Sequence, residues 1–82
     1  MKLNVRLFAT LKERAQVAHL ELELMDGDPT VKDLLAEVVA QRPSLEPSMR
    51  SVLVAVNREF AFPEQVLQPG DEIALFPPVS GG

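Results

Sequence analysis

The chain contains no cysteine. That absence removes a disulfide framework, a thiolate metal site and a cysteine nucleophile together. Any sulfur chemistry this protein takes part in cannot run on a cysteine side chain. Long hydrophobic runs are missing too. The best unbroken apolar stretch, Val52-Leu53-Val54-Ala55-Val56, is far too short to span a bilayer. The N-terminal residues Met1-Lys2-Leu3-Asn4-Val5-Arg6-Leu7 alternate apolar and polar, whereas a signal peptide needs a continuous apolar stretch followed by small residues. A cytoplasmic location with no membrane partner is the expectation.

A basic patch is likewise absent. Lys12 and Arg14 are separated by Glu13, no cationic run develops, and the formal net charge is -4. The electrostatic footprint of a nucleic-acid binder is not there. An acidic chain suits recognition by basic protein surfaces instead. Histidine occurs once, as His19, with no second ligand to make a metal site.

What is present describes one small domain. The 82 residues are 46% hydrophobic and 24% charged, a globular rather than a disordered composition. Residues 2–8 have period two: Leu3, Val5 and Leu7 point one way, Asn4, Arg6 and Phe8 the other. That is a strand with one buried face. A short helical stretch is expected over residues 10–14. Residues 19–24 alternate again, with Leu20, Leu22 and Leu24 inward and the acids outward, so the two strands form an antiparallel ribbon. Asp26-Gly27-Asp28-Pro29 is turn chemistry. Thr30 reads as a helix N-cap with Asp33 in a near capping-box position. Val31, Leu34, Leu35, Val38 and Val39 then follow the stripe of an amphipathic helix. Pro43 stops it by disfavouring a helical Arg42. A connector follows, with a helical turn expected after Pro47. Residues 52–56, apolar on both faces, read as a central strand. Residues 60–62 read as a short strand, Pro69-Gly70-Asp71 as a turn, and residues 72–76 as the last strand.

The order strand, strand, helix, strand, short strand, strand is that of an α+β, β-grasp (ubiquitin-like) domain. It implies a mixed sheet of four to five strands packed on one main helix. A ferredoxin-like fold would need a second long helix. The expected organisation is a domain over residues 1–76 and an extended tail over 77–82.

Inside that domain nothing reads as an active site. Asp26 and Asp28 flank a glycine but lack the further ligands of a calcium loop. Glu21 and Glu23 share a strand face as ordinary solvated acids. The tail is different. Pro77-Pro78 favours an extended conformation. Five further residues at about 3.3 Å each carry the terminal carboxylate about 15–17 Å beyond Pro77. Gly81 and Gly82 have no side chains and can enter a narrow channel of another protein. A carboxylate is a poor electrophile, but transfer of AMP from ATP makes it a mixed anhydride. A sulfur donor can then displace AMP and leave a nucleophilic thiocarboxylate. The candidate reacting group is therefore the Gly82 carboxylate.

The tail also carries a resemblance. Gly70-Asp71-Glu72-Ile73-Ala74-Leu75-Phe76-Pro77-Pro78-Val79-Ser80-Gly81-Gly82 resembles the end of the small subunit of molybdopterin synthase, the MoaD family. Leu7-Phe8-Ala9 with Lys12-Glu13, and Val54-Ala55-Val56-Asn57, are similar to further segments of it. The resemblance implies that a MoeB-type enzyme, using ATP and magnesium, adenylates Gly82, and that a sulfur donor converts it to a thiocarboxylate. It further implies insertion of the tail into a large subunit of MoaE type, in a heterotetramer, and delivery of sulfur to cyclic pyranopterin monophosphate to build the molybdopterin dithiolene. By the same resemblance the catalytic lysine is expected in the large subunit, and no permanently bound cofactor is expected in this chain.

Alternation adds a docking surface. Phe8 lies opposite Leu3, Val5 and Leu7, and Phe76 opposite Ile73 and Leu75, so both fall on the open side of the sheet; Phe60 can join them. Aromatics are common binding anchors. Phe8, Phe60 and Phe76, continuing into Pro77, Pro78, Val79, Ser80 and Gly81, are the expected partner-binding residues, with Lys12 a weaker candidate. Three other readings stay open: sulfur delivery to another pathway (thiazole, tRNA thiolation or cysteine synthesis), a ubiquitin-like protein modifier, and a binding module with an inert tail.

Overall fold

The structure, a computed structural model, describes residues 1–78; Val79, Ser80, Gly81 and Gly82 of the expected site lie outside the described residues. Among the described residues eight elements follow one another: strand β1 (Lys2–Leu7), helix α1 (Ala9–Ala15), strand β2 (His19–Glu23), helix α2 (Val31–Gln41), a 3-10 helix (Pro43–Ser48), and strands β3 (Leu53–Val56), β4 (Glu59–Phe60) and β5 (Ile73–Phe76). The five strands make one sheet in the order β2-β1-β5-β3-β4. The β1–β5 pair is parallel and the other pairs are antiparallel. This is the mixed sheet of a β-grasp fold, with α2 crossing from β2 at one edge to β3 on the other side.

The alternation of the first ribbon is realised residue by residue. Leu3, Val5 and Leu7 of β1 are buried, as are Leu20 and Leu22 of β2, while the residues between them are exposed. Leu3 faces Leu22 and Val5 faces Leu20 across the antiparallel register. A one-residue slip would turn all of these leucines to solvent, which is why the register is well specified. Val31, Leu34 and Val38 of α2 close over this surface. Leu11 of α1, Leu45 of the 3-10 helix and Leu67 of the long β4–β5 connection complete the core. No polar or charged residue is buried among the described residues.

The α2 N-terminus is closed by both the sequence and the fold. Thr30 Oγ1 accepts from the Asp33 N–H at 3.3 Å, and Asp33 Oδ2 accepts from the Thr30 N–H at 2.8 Å, a complete capping box. The remaining two free donors go to the β4–β5 connection: Val31 N–H to Gln65 O at 3.0 Å and Lys32 N–H to Pro63 O at 2.9 Å. All of the amides that a helix start leaves unpaired are thus taken.

Several expected boundaries move. The helical turn expected after Pro47 instead starts at Pro43, because proline is well tolerated where a helix begins and loses no bonded N–H. The strand expected over 52–56 begins at Leu53 and is interior, but the middle position belongs to β5, set by its parallel pairing with β1. The short strand expected over 60–62 is Glu59–Phe60. Ala61 still donates to Val54 O at 2.9 Å, and then a turn in which Gln65 N–H bonds Phe62 O draws the chain off the sheet. Helix α1 extends one residue beyond the expected stretch at each end. Among the described residues no helix is long and apolar enough to cross a membrane.

Candidate docking face and tail root

One face of the sheet is covered by α2; the other is open. Cross-strand register assembles the open face from distant parts of the chain. Ala55 lies between Phe60 on β4 and Ala74 on β5, and Ala74 lies beside Arg6 on β1. The two alanines form a low floor, and larger side chains rise around it. The result is an open groove of about 860 Å³ bordered by Phe8, Phe60, Phe76, Arg6, Arg58 and His19. All three phenylalanines expected on this side are therefore on it.

They are not equivalent. Phe8 follows β1 in extended conformation (φ -121°, ψ 153°), so the strand alternation carries one residue further and keeps its ring on the open face. Its N–H bonds Leu75 O at 3.2 Å, which seats it beside the end of β5. There its ring stacks on Phe76, with centroids 4.6 Å apart and planes 11° from parallel. Both rings are half-buried. Phe60 stands apart at 74% exposure on a two-residue edge strand. An aromatic held this far out of the core contributes little to folding and is available to a partner.

Phe76 is also the last strand residue. It pairs with Leu53, and Pro77 and Pro78 follow. Neither proline has an N–H to donate, so ladder pairing cannot continue and the sheet ends there. The stacked pair thus marks the point at which the tail leaves the body. Turn geometry fixes the other end of β5. Gly70 has φ +86° in the turn before it, a conformation L side chains rarely adopt. Asn57 ties that turn to the β3–β4 hairpin: its Nδ2 donates to Asp71 Oδ1 and its Oδ1 accepts from the Glu72 N–H, both at 2.9 Å.

The residues weighed for catalysis do not converge. His19 is exposed at the groove rim, across from Arg6. Glu23 and Asp26 sit near the Met1 amine at 3.8 and 3.9 Å. Asp28 is in the turn with positive φ. Among the described residues no group of histidines and carboxylates could hold a metal ion. Lys12 is exposed on α1, whose last turn it shares with Arg14. Arg6 and Arg58 at the groove border were not singled out by sequence reasoning. For Arg6 a signal existed: it shares a strand face with Phe8, two residues away.

A sheet gripping one helix, whose interior strand β5 runs into Pro77 and Pro78, defines a ubiquitin-like protein of the β-grasp class. The chain belongs to the ThiS family, whose sequence model matches residues 5–82. The molybdopterin synthase sulfur carrier subunit of Chlamydomonas reinhardtii is 40% identical over 84 aligned positions, covering 100% of this chain and 100% of that protein. Small archaeal modifier protein 1 of Haloferax volcanii is 39% identical over 85 positions, covering 94% of this chain and 97% of that one. The crystal structure of SAMP1 from Haloferax volcanii superposes with a TM-score of 0.86 at 36% identity, covering 100% of both chains.

Proposed function

We propose that this protein is the sulfur carrier subunit of a molybdopterin synthase. The observation that carries the reading is the segment Phe76-Pro77-Pro78-Val79-Ser80-Gly81-Gly82, set directly on the end of β5 beside a stacked aromatic pair, in a chain aligned end to end with a relative of that name.

The chemistry is divided between chain and partners. A carboxylate oxygen of Gly82 attacks the α-phosphorus of ATP held with magnesium by a MoeB-type adenylating enzyme. Pyrophosphate leaves and an acyl adenylate remains. A sulfide-level donor then displaces AMP, and the carbonyl carbon exchanges its C–O bond for C–S. The thiocarboxylate enters a MoaE-type large subunit, where its sulfur bonds a side-chain carbon of cyclic pyranopterin monophosphate as a C–O bond of that carbon breaks, the oxygen departing on phosphate or as water. Water cleaves the resulting thioester, which leaves sulfur on the pterin and restores the Gly82 carboxylate. A dithiolene holds two sulfurs, so two charged carriers are consumed per product, consistent with a heterotetramer bearing two carriers.

The body's task is seating. Four residues beyond Pro78 reach at most about 14 Å, so the acceptor's reacting centre must lie within that distance of the tail root. A docking face adjoining the root meets this requirement. Phe8, Phe60 and Phe76 supply its apolar anchors, and the rigid stack fixes where the tail begins. The test is reconstitution: thiocarboxylated chain and large subunit should convert cyclic pyranopterin monophosphate to molybdopterin. Efficient charging with no product would assign the sulfur to another acceptor.

A second reading, a ubiquitin-like protein modifier joined through Gly82 to lysines, is favoured by the likeness to small archaeal modifier protein 1. Gly-Gly remnants of this chain on cellular lysines would support it.

A further inference from the structure

Arg6 is placed to do more than solubilise β1. On the open face its neighbours are His19 on one side and Ala74 on the other. The short alanine leaves room along the sheet, and the guanidinium carbon lies 5.5 Å from the Phe8 ring centroid. That is cation–π range. The Phe8 ring in turn stacks on Phe76. A continuous ladder of Arg6, Phe8 and Phe76 thus runs from the middle of the open face to the tail root.

The groove gathers three of the chain's eight lysines and arginines. The net charge is -4, and the groove is lined by Lys2, Arg6 and Arg58 with Asp71 and Glu72, while Glu21 and Glu23 of β2 stand on the same face beyond it. Both groove carboxylates have partners already. Asp71 accepts from Asn57 Nδ2 and the Gln68 N–H, and Glu72 lies 4.0 Å from Arg58. Arg6 makes no ion pair among the described residues. Its charge therefore stands unneutralised at the aromatic centre of the face. A partner covering Phe8 and Phe76 must also cover Arg6. Burying an uncompensated guanidinium is costly, whereas meeting it with a carboxylate gives a planar, two-pronged, charge-assisted pair.

We infer that Arg6 is a specificity-determining residue of the docking face, and that the large subunit presents an aspartate or glutamate to it. The inference rests on the docking role proposed above and names the chemistry of the partner at that site. The Arg6–carboxylate pair sits one ring from the tail root, so it selects partners whose acid is aligned with their tail channel. Arginine rather than lysine is required, because only the planar guanidinium can lie over Phe8 and offer a fork to a carboxylate at once.

The test compares wild type, Arg6→Gln and Arg6→Lys for affinity to the large subunit at low and high salt, with Tm measured for each. Arg6 is exposed, so all three are expected to melt alike. Arg6→Gln should raise Kd about tenfold or more and flatten its salt dependence, and Arg6→Lys should restore the salt dependence but only part of the affinity. Equal Kd and salt dependence for wild type and Arg6→Gln would overturn the inference alone. A weaker Arg6→Gln that keeps the wild-type salt dependence would also overturn it, by reducing Arg6 to packing. A wild-type chain that does not bind the large subunit at all would overturn the docking role and this inference with it.

Discussion

Asn57 and Arg58 make up the whole loop between β3 and β4, and both have positive φ, 52° and 71°. Two-residue hairpin loops of that kind favour Asn then Gly. Asn57 fits, and its side chain adds the two hydrogen bonds that hold the start of β5. Arg58 does not fit, since a left-handed non-glycine residue costs about 1 kcal/mol. Arg58→Gly is therefore expected to stabilise the fold by about 0.5–1 kcal/mol, because the exposed Arg58–Glu72 contact it removes is worth little. Asn57→Ala should do the opposite, at about 1–2 kcal/mol, by removing two exposed hydrogen bonds and straining the turn. Chemical denaturation of the two variants measures both. Phe8→Ala belongs to the same scale. It removes the ring on which Phe76 stacks, and is expected to weaken large-subunit binding at least about tenfold. A calorimetric titration that finds wild-type affinity would remove Phe8 from the docking face.

Helix α2 and strand β5 show what elements contribute. The α2 start depends on Thr30 twice, as acceptor for the Asp33 N–H and as the residue whose own N–H Asp33 caps. Thr30→Ala should cost about 1 kcal/mol in denaturant unfolding, and Thr30→Ser much less. This element was legible in the sequence because everything that defines it is local: the cap, the box and the apolar stripe lie within a few residues. The first ribbon was legible for the same reason. What escaped was long-range. The place of β5 at the sheet's middle comes from pairing with β1 at the other end of the chain. Leu45 and Leu67 are buried although neither belongs to a periodic pattern. Pro43 reads as a stop for α2, and does stop it, yet it also starts the 3-10 helix that delivers Leu45 to the core. On the open face, alternation was enough to place Phe8 and Phe76 on one side. Their contact, and the guanidinium over Phe8, needed the register of three strands.

At the scale of the whole molecule, body and tail are expected to separate cleanly in experiment. The core closes between sheet and helices from Leu3 to Leu75. Removing Gly81 and Gly82 should therefore leave Tm unchanged within error while abolishing charging with sulfur. A drop in Tm on that truncation would show the tail to be part of the fold. The electrostatics are also a property of the whole: the molecule is acidic in total, while three cationic side chains gather round the aromatic groove. Composition gave the acidic total, but only the folded sheet collects Lys2, Arg6 and Arg58 around one groove.

The most direct test of the carrier chemistry is the intact mass of the chain after incubation with a MoeB-type adenylating enzyme, ATP, magnesium and a sulfide donor. The account predicts a gain equal to replacing one oxygen by sulfur, localised to Gly82. An unchanged mass, with the enzyme proven active on its own carrier, would contradict it.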